Sequence, residues 1–108
     1  MTTTLISREQ LHGEIQAGAV TVLDALGGDY YAKQHLPGAI PLVEDEVTNR
    51  ASTLLPDKAR PLVTYCSNPA CQNSQRVADK LTALGYTNVR KYREGIEDWV
   101  AAGLPTEP

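Results

Sequence analysis

The chain has 108 residues, 42% hydrophobic and 21% charged, with a formal net charge of −3. That length suits one domain spanning residues 1–108, able to bury roughly 60–70% of the unfolded chain's surface without disulfide or metal staples. The charge gives no general attraction for nucleic acid or anionic lipid, and no apolar run approaches the ~18 residues of a membrane span.

In chain order, Met1 to Ile6 has no basic segment followed by a long apolar core, so no secretory signal is read there. Ser7 with Gln10 forms a capping box, Leu11 and Ile15 give the following helix an apolar face, and Gly18 stops it. Ala19 to Leu23 reads as a buried strand ending at Asp24. Gly27-Gly28-Asp29 is a turn leading into a short helix from Tyr30 to Gln34. Leu36 to Leu42, bounded by prolines, is a turn and a short edge strand. Val43 to Leu55 is a helical pattern with Val47, Ala51, Leu54 and Leu55 on one face. Pro61 to Tyr65 is the next strand. The helix after it, Ser74 to Leu84, buries Val77, Ala78, Leu81 and Leu84 and ends at Gly85. Asn88 to Tyr92 is a last strand, and Ile96 to Ala102 a last helix closed by Gly103 and Pro105. Strands alternating with helices at this spacing predict an α/β domain with a parallel sheet covered on both faces. In such sheets ligands bind at the carboxyl ends of the strands, where Asp24 and Cys66 fall.

Both cysteines, Cys66 and Cys71, lie in the loop Tyr65-Cys66-Ser67-Asn68-Pro69-Ala70-Cys71-Gln72-Asn73-Ser74. A cysteine between a strand end and a helix start sits where backbone N–H groups and the helix dipole favour an anion. A thiolate, the reactive form, is stabilised there. Without a secretory signal, two cysteines imply a reducing compartment and thiol chemistry, and the expected location is cytoplasmic. Two thiols are too few for a zinc site and neither histidine is adjacent in sequence, so no metal is expected.

Several segments resemble one known family. His35-Leu36-Pro37-Gly38-Ala39-Ile40 is similar to a signature of the rhodanese homology domain. Val22-Leu23-Asp24 resembles that family's strand ending in Asp, and Thr64-Tyr65-Cys66 its strand into the catalytic cysteine. Leu84 to Val89 and Gly95 to Pro105 resemble its C-terminal quarter. The resemblance runs from about Leu5 to Pro105 and implies a five-stranded, mainly parallel sheet with helices on both faces. It also implies sulfur transfer through a Cys66 persulfide, with no cofactor. The implied partners are a small sulfane-sulfur donor and a thiol acceptor, or a sulfur-carrier protein, on a monomer or homodimer.

Two departures bear on the site. The seven residues from Ser67 to Asn73 make the loop two longer than the family's usual one, without its Gly or closing Arg. Ala25 and Leu26 follow Asp24 where the family tends to have Val-Arg. The expected anion cradle therefore consists of backbone N–H groups and amides across Ser67, Asn68, Ala70, Gln72, Asn73 and Ser74. Pro69 contributes no N–H. Thiosulfate should bind more weakly than in family members with those arginines. Arg93, at the end of the last strand, is the replacement cation expected. A phosphatase or arsenate reductase is disfavoured, because such loops need a closing guanidinium.

Cys66 is the nucleophile expected to take up a sulfane sulfur and pass it on; its plainer reading is a small buried residue. Four readings are open for Cys71: it attacks the Cys66 persulfide, holds a second sulfur, protects Cys66 from over-oxidation, or is incidental. A Cα separation beyond ~7 Å would exclude a bridge. Asp24 is expected to accept from loop amides or from His35, itself read as a structural turn histidine. Trp99 and Tyr86 belong in or beside the core with their polar tips partnered, Tyr30 and Tyr31 are candidate pocket walls, Arg76 is read as a solvated charge, and His12 receives no role. Two alternatives stand beside sulfur transfer. One is a dithiol/disulfide redox or sensing module using Cys66 and Cys71, the other a non-enzymatic binding module on the same fold.

Overall fold

Five parallel strands form the centre of the computed structural model, which describes residues 3–108. They are β1 (Thr4–Leu5), β2 (Thr21–Asp24), β3 (Ile40–Pro41), β4 (Leu62–Tyr65) and β5 (Val89–Tyr92), in the spatial order β1-β5-β4-β2-β3. The helices are α1 (Arg8–Gln16), α2 (Gly28–Lys33), α3 (Val47–Leu54), α4 (Asn73–Ala83) and α5 (Gly95–Ala101). None is long and apolar enough to cross a membrane.

Side chains of a strand alternate between faces, and the two cores follow that alternation. Val22, Val63, Tyr65 and Tyr92 join Leu11, Leu36 and Trp99 in one core, towards α1, α2 and α5. Leu23 and Leu62 join Val47, Ala51, Val77 and Leu81 in the other, beneath α3 and α4. The central strand β4 is buried along its whole length. Continuing its alternation by one residue past Tyr65 turns Cys66 towards the α4 side. The register pairs Asp24 with Tyr65 and Tyr65 with Tyr92, so β2, β4 and β5 end level with one another.

The local signals hold at most element ends. The Ser7 Oγ accepts from Gln10 N–H at 3.1 Å and starts α1; Gln10's amide, however, donates to Glu14 and does not close the box. Gly18 and Gly85 both have positive φ where α1 and α4 end. β3 is an edge strand, as its prolines predict. The segment from Val43 to Leu55 is not one helix: a 3₁₀ turn at Glu44–Glu46 precedes α3. Three consecutive carboxylates crowd that turn, and no side chain caps α3.

Candidate active site

The loop leaving β4 is fixed at its first two residues by hydrogen bonds to the start of α5. Ile96 N–H donates to the Cys66 carbonyl at 2.9 Å and Glu97 N–H to the Ser67 carbonyl at 3.0 Å. These bonds occupy donors that a helix start leaves without intrahelical partners. Gly95, with φ +79°, is required there: a Cβ on it would fall 2.5 Å from the Ser67 carbonyl carbon and oxygen. Asn68 then folds the loop back. Its Oδ1 accepts from Ala70 N–H at 2.9 Å, its carbonyl from Cys71 N–H at 3.1 Å, and its Nδ2 donates to Glu97 at 3.1 Å.

That turn brings the two cysteines together. Cys66 and Cys71 are paired as a disulfide, with their Cα atoms 6.2 Å apart, inside the range that bridges without backbone movement. Cys66 is 1% exposed, whereas Cys71 is half-buried. Beyond Cys71 the chain enters α4, which no side chain caps. The first N–H groups of α4, at Asn73, Ser74 and Gln75, thus have no intrahelical partner. Gln72 and Asn73 are exposed, whereas Ser74 is buried and its carbonyl accepts from Thr64 Oγ1 at 3.0 Å. Ala70 is exposed at the loop tip.

Asp24, paired with Tyr65 at the end of β2, is fully buried. One carboxylate oxygen accepts from the N–H groups of Leu26 (2.8 Å) and Gly27 (3.1 Å), the other from the Tyr65 hydroxyl at 2.6 Å. Burial, with the Asp24 carboxylate beside it, pushes the Tyr65 phenol far above its usual range, so it stays a donor. The same hydroxyl accepts from Leu36 N–H at 3.2 Å, joining β2, β4 and the turn after α2.

Two expectations need correction. His35 is not the partner of Asp24, because its ring stacks on Tyr31 and its Nδ1 lies 2.8 Å from the Tyr31 carbonyl. The histidine is instead part of a structural clasp: its backbone pairs with Glu107, in both directions at 2.8 Å. Arg93 does not supply the missing cation beside the loop. The chain turns into α5 at this point, and the exposed Arg93 side chain lines a depression with Leu5, Ser7, Glu94 and Asp98. The pocket that touches the α4 start, about 190 Å³, is lined by Ala25, Leu26, Val43, Glu44, Asp45 and Asn73. Its Glu44 carboxylate is flanked by Arg76 at 3.9 Å and Lys80 at 3.8 Å.

The aromatic residues divide as their polar tips require. Trp99 Nε1 donates to the Pro105 carbonyl and the Tyr86 hydroxyl to those of Ala51 and Leu55. Tyr31 packs on the core while Tyr30 is 70% exposed. His12 meets the edge of Trp99. Three contributors escaped the sequence reading: Tyr65, Gly95 and Glu97. Gly95 alone carried a signal, being a glycine at a helix start.

A parallel α/β sheet carrying a thiol loop between its central strand and the following helix defines the class. The family model of the Rhodanese-like domain matches residues 7–102, and the chain belongs to that family. An HTH-type transcriptional regulator of Mycobacterium tuberculosis is 30% identical over 102 residues, covering 94% of this chain and 44% of the regulator. The thiosulfate sulfurtransferase PspE of Escherichia coli is 33% identical over 67 residues, 62% of each protein. The chain thus spans less than two thirds of either curated relative. A Bacillus halodurans protein of solved structure superposes with a TM-score of 0.86 at 27% identity, covering 97% of this chain and 77% of its own. The rhodanese-like domain of an Anabaena protein superposes with a TM-score of 0.83 at 28% identity, over 98% and 80%.

Proposed function

We propose that the protein is a sulfurtransferase in which the Cys66 thiolate takes a sulfane sulfur and holds it as a persulfide. The observation that carries this reading is the place of Cys66: at the carboxyl end of the central strand, turned towards α4, before a helix start that no side chain caps. Uncommitted N–H groups there stabilise a thiolate and a persulfide anion, so no separate general base is needed. The N–H groups of Ala70 and Cys71 are committed to Asn68, so Ala70 leaves the expected cradle, which narrows to the N–H groups at the start of α4, those of Asn73 and Ser74 among them.

The donor we favour is a persulfide, such as glutathione persulfide or a carrier protein, over thiosulfate. Thiosulfate concentrates two charges in one small ion, and the loop from Ser67 to Asn73 carries no Lys or Arg to meet them. The test uses the Cys71→Ser variant, reduced and then given glutathione persulfide or thiosulfate, with the intact mass measured. A gain of one sulfur, absent from the Cys66→Ser variant, is expected with the persulfide and smaller with thiosulfate. No gain with any sulfane donor refutes the proposal.

The pairing of Cys66 with Cys71 favours a second reading, a dithiol redox or sensing module. The relative named as a transcriptional regulator is compatible with it. Counting thiols before and after mild oxidation tests this module, which is excluded if the two thiols fail to disappear together within one monomer.

A further inference from the structure

We infer that Cys71 is a resolving thiol that converts the sulfur held on Cys66 into hydrosulfide, so that the domain reduces sulfane sulfur as well as transferring it. This rests on the Cys66 persulfide of the proposed function. In the step, the Cys71 sulfur attacks the Sγ of Cys66 and the bond from that Sγ to the outer sulfur breaks. The outer sulfur leaves with the bonding electron pair and takes the Cys71 proton. Persulfide anion plus thiol thus gives the Cys66–Cys71 disulfide and one HS⁻. The sulfane sulfur is reduced by two electrons and the two cysteine sulfurs are oxidised by two. A small or protein dithiol restores both thiols in a separate exchange and leaves as its own disulfide.

Three features of the loop support the assignment. The Cα atoms of Cys66 and Cys71 are 6.2 Å apart, so the disulfide forms with the backbone where it stands. The turn that sets this distance is specified by Asn68, whose side chain and carbonyl hold Ala70 and Cys71 from within and whose Nδ2 ties the turn to Glu97. Exposure separates the roles: Cys66 is 1% exposed, while Cys71, its disulfide partner, is half-buried. An external acceptor thiol must compete with Cys71, which is already in place. A tethered thiol behaves as though present at about millimolar concentration or above. A pre-positioned one exceeds that. Closure therefore outruns transfer to a dilute outside thiol.

The experiment gives the reduced wild-type chain, Cys71→Ser and Cys71→Ala one equivalent of glutathione persulfide, with no other reductant. Hydrosulfide, free thiols and intact mass are followed together. Wild type should release about one hydrosulfide per chain, lose both cysteine thiols and end two hydrogens lighter. Both variants should keep the added sulfur and release hydrosulfide at least about tenfold more slowly. A wild-type chain that retains the extra sulfur as stably as the variants overturns this inference and leaves the Cys66 persulfide standing. Failure of the variants to gain sulfur overturns the persulfide itself, and this inference with it. Two variants of different side chain keep a folding defect in one from deciding the result.

Discussion

Replacing Gly95 by alanine tests how firmly α5 holds the thiol loop. At φ +79° the backbone is in the left-handed region, which costs an L-residue roughly 1–2 kcal/mol. The new Cβ would fall 2.5 Å from the Ser67 carbonyl carbon and oxygen and 2.7 Å from Asn68 N. These are backbone atoms, bonded to the N–H of Glu97 and preceded by a carbonyl bonded to Ile96, so no side-chain rotation relieves the overlap. Forced displacement in a packed region adds about 1–3 kcal/mol. The expected loss is therefore about 2–5 kcal/mol, a large share of the ~5–15 kcal/mol that holds a domain together. Gly103→Ala is the matched comparison: its φ is +76° and a Cβ there meets nothing within 4 Å. It should lose only the backbone part, about 1–2 kcal/mol. Urea denaturation of the reduced proteins, followed by far-ultraviolet circular dichroism, gives both values on one scale. Equal losses for the two variants would show that the loop does not rest against Gly95, and the account of how it is held would fail.

Tyr65→Phe removes the hydroxyl that donates to Asp24 and leaves that carboxylate and Leu36 N–H each short of a partner. We expect a loss of about 2–4 kcal/mol in the same urea assay, and a change within error would refute the bridge. Asn68→Ala removes the side-chain bonds to Ala70 and Glu97, so formation of the Cys66–Cys71 disulfide under mild oxidation should slow several-fold in a stopped-time thiol assay. Unchanged kinetics would mean that the turn does not depend on that side chain. Acid stability should follow Glu14, whose carboxyl is held below its usual range by hydrogen bonding to Arg90. The folded state then binds fewer protons than the unfolded one, so this stabilisation is present above the unfolded value of about 4.3 and is lost as pH falls below it. Glu14→Gln should flatten the acid limb of a stability-against-pH curve; an unaltered limb would assign it to other carboxylates.

The long elements and the order of chemistry along the chain were legible because they rest on local pattern. Ser7, Gly18, Gly85 and the apolar faces around Leu11 and Val77 mark their own helices, and the β4–α4 junction locates the thiol loop. β1 was not legible: two exposed residues, Thr4 and Leu5, carry no alternation, and only pairing with β5 makes them a strand. Nor was the Tyr65–Asp24 bond, since the residues lie 41 apart and the register that pairs them belongs to the sheet. Arg93 shows the complementary limit. Its place past β5 is legible, but the turn into α5 decides where its guanidinium goes. The spacing of Cys66 and Cys71 likewise left their separation open until the turn at Asn68 closed it.

Two helices begin beside the thiol loop, and the loop treats them differently. The N–H groups of Ile96 and Glu97, at the start of α5, are taken by the carbonyls of Cys66 and Ser67, while the start of α4 has no side-chain cap. The peptide dipoles are thereby sorted: oxygens of the loop point to one helix, and the unpaired positive end of the other remains for whatever charge sulfur carries. A substitution that breaks the α5 contacts would release two carbonyls and two N–H groups at once. That would blur the polarity of the site without altering a single residue that meets the substrate.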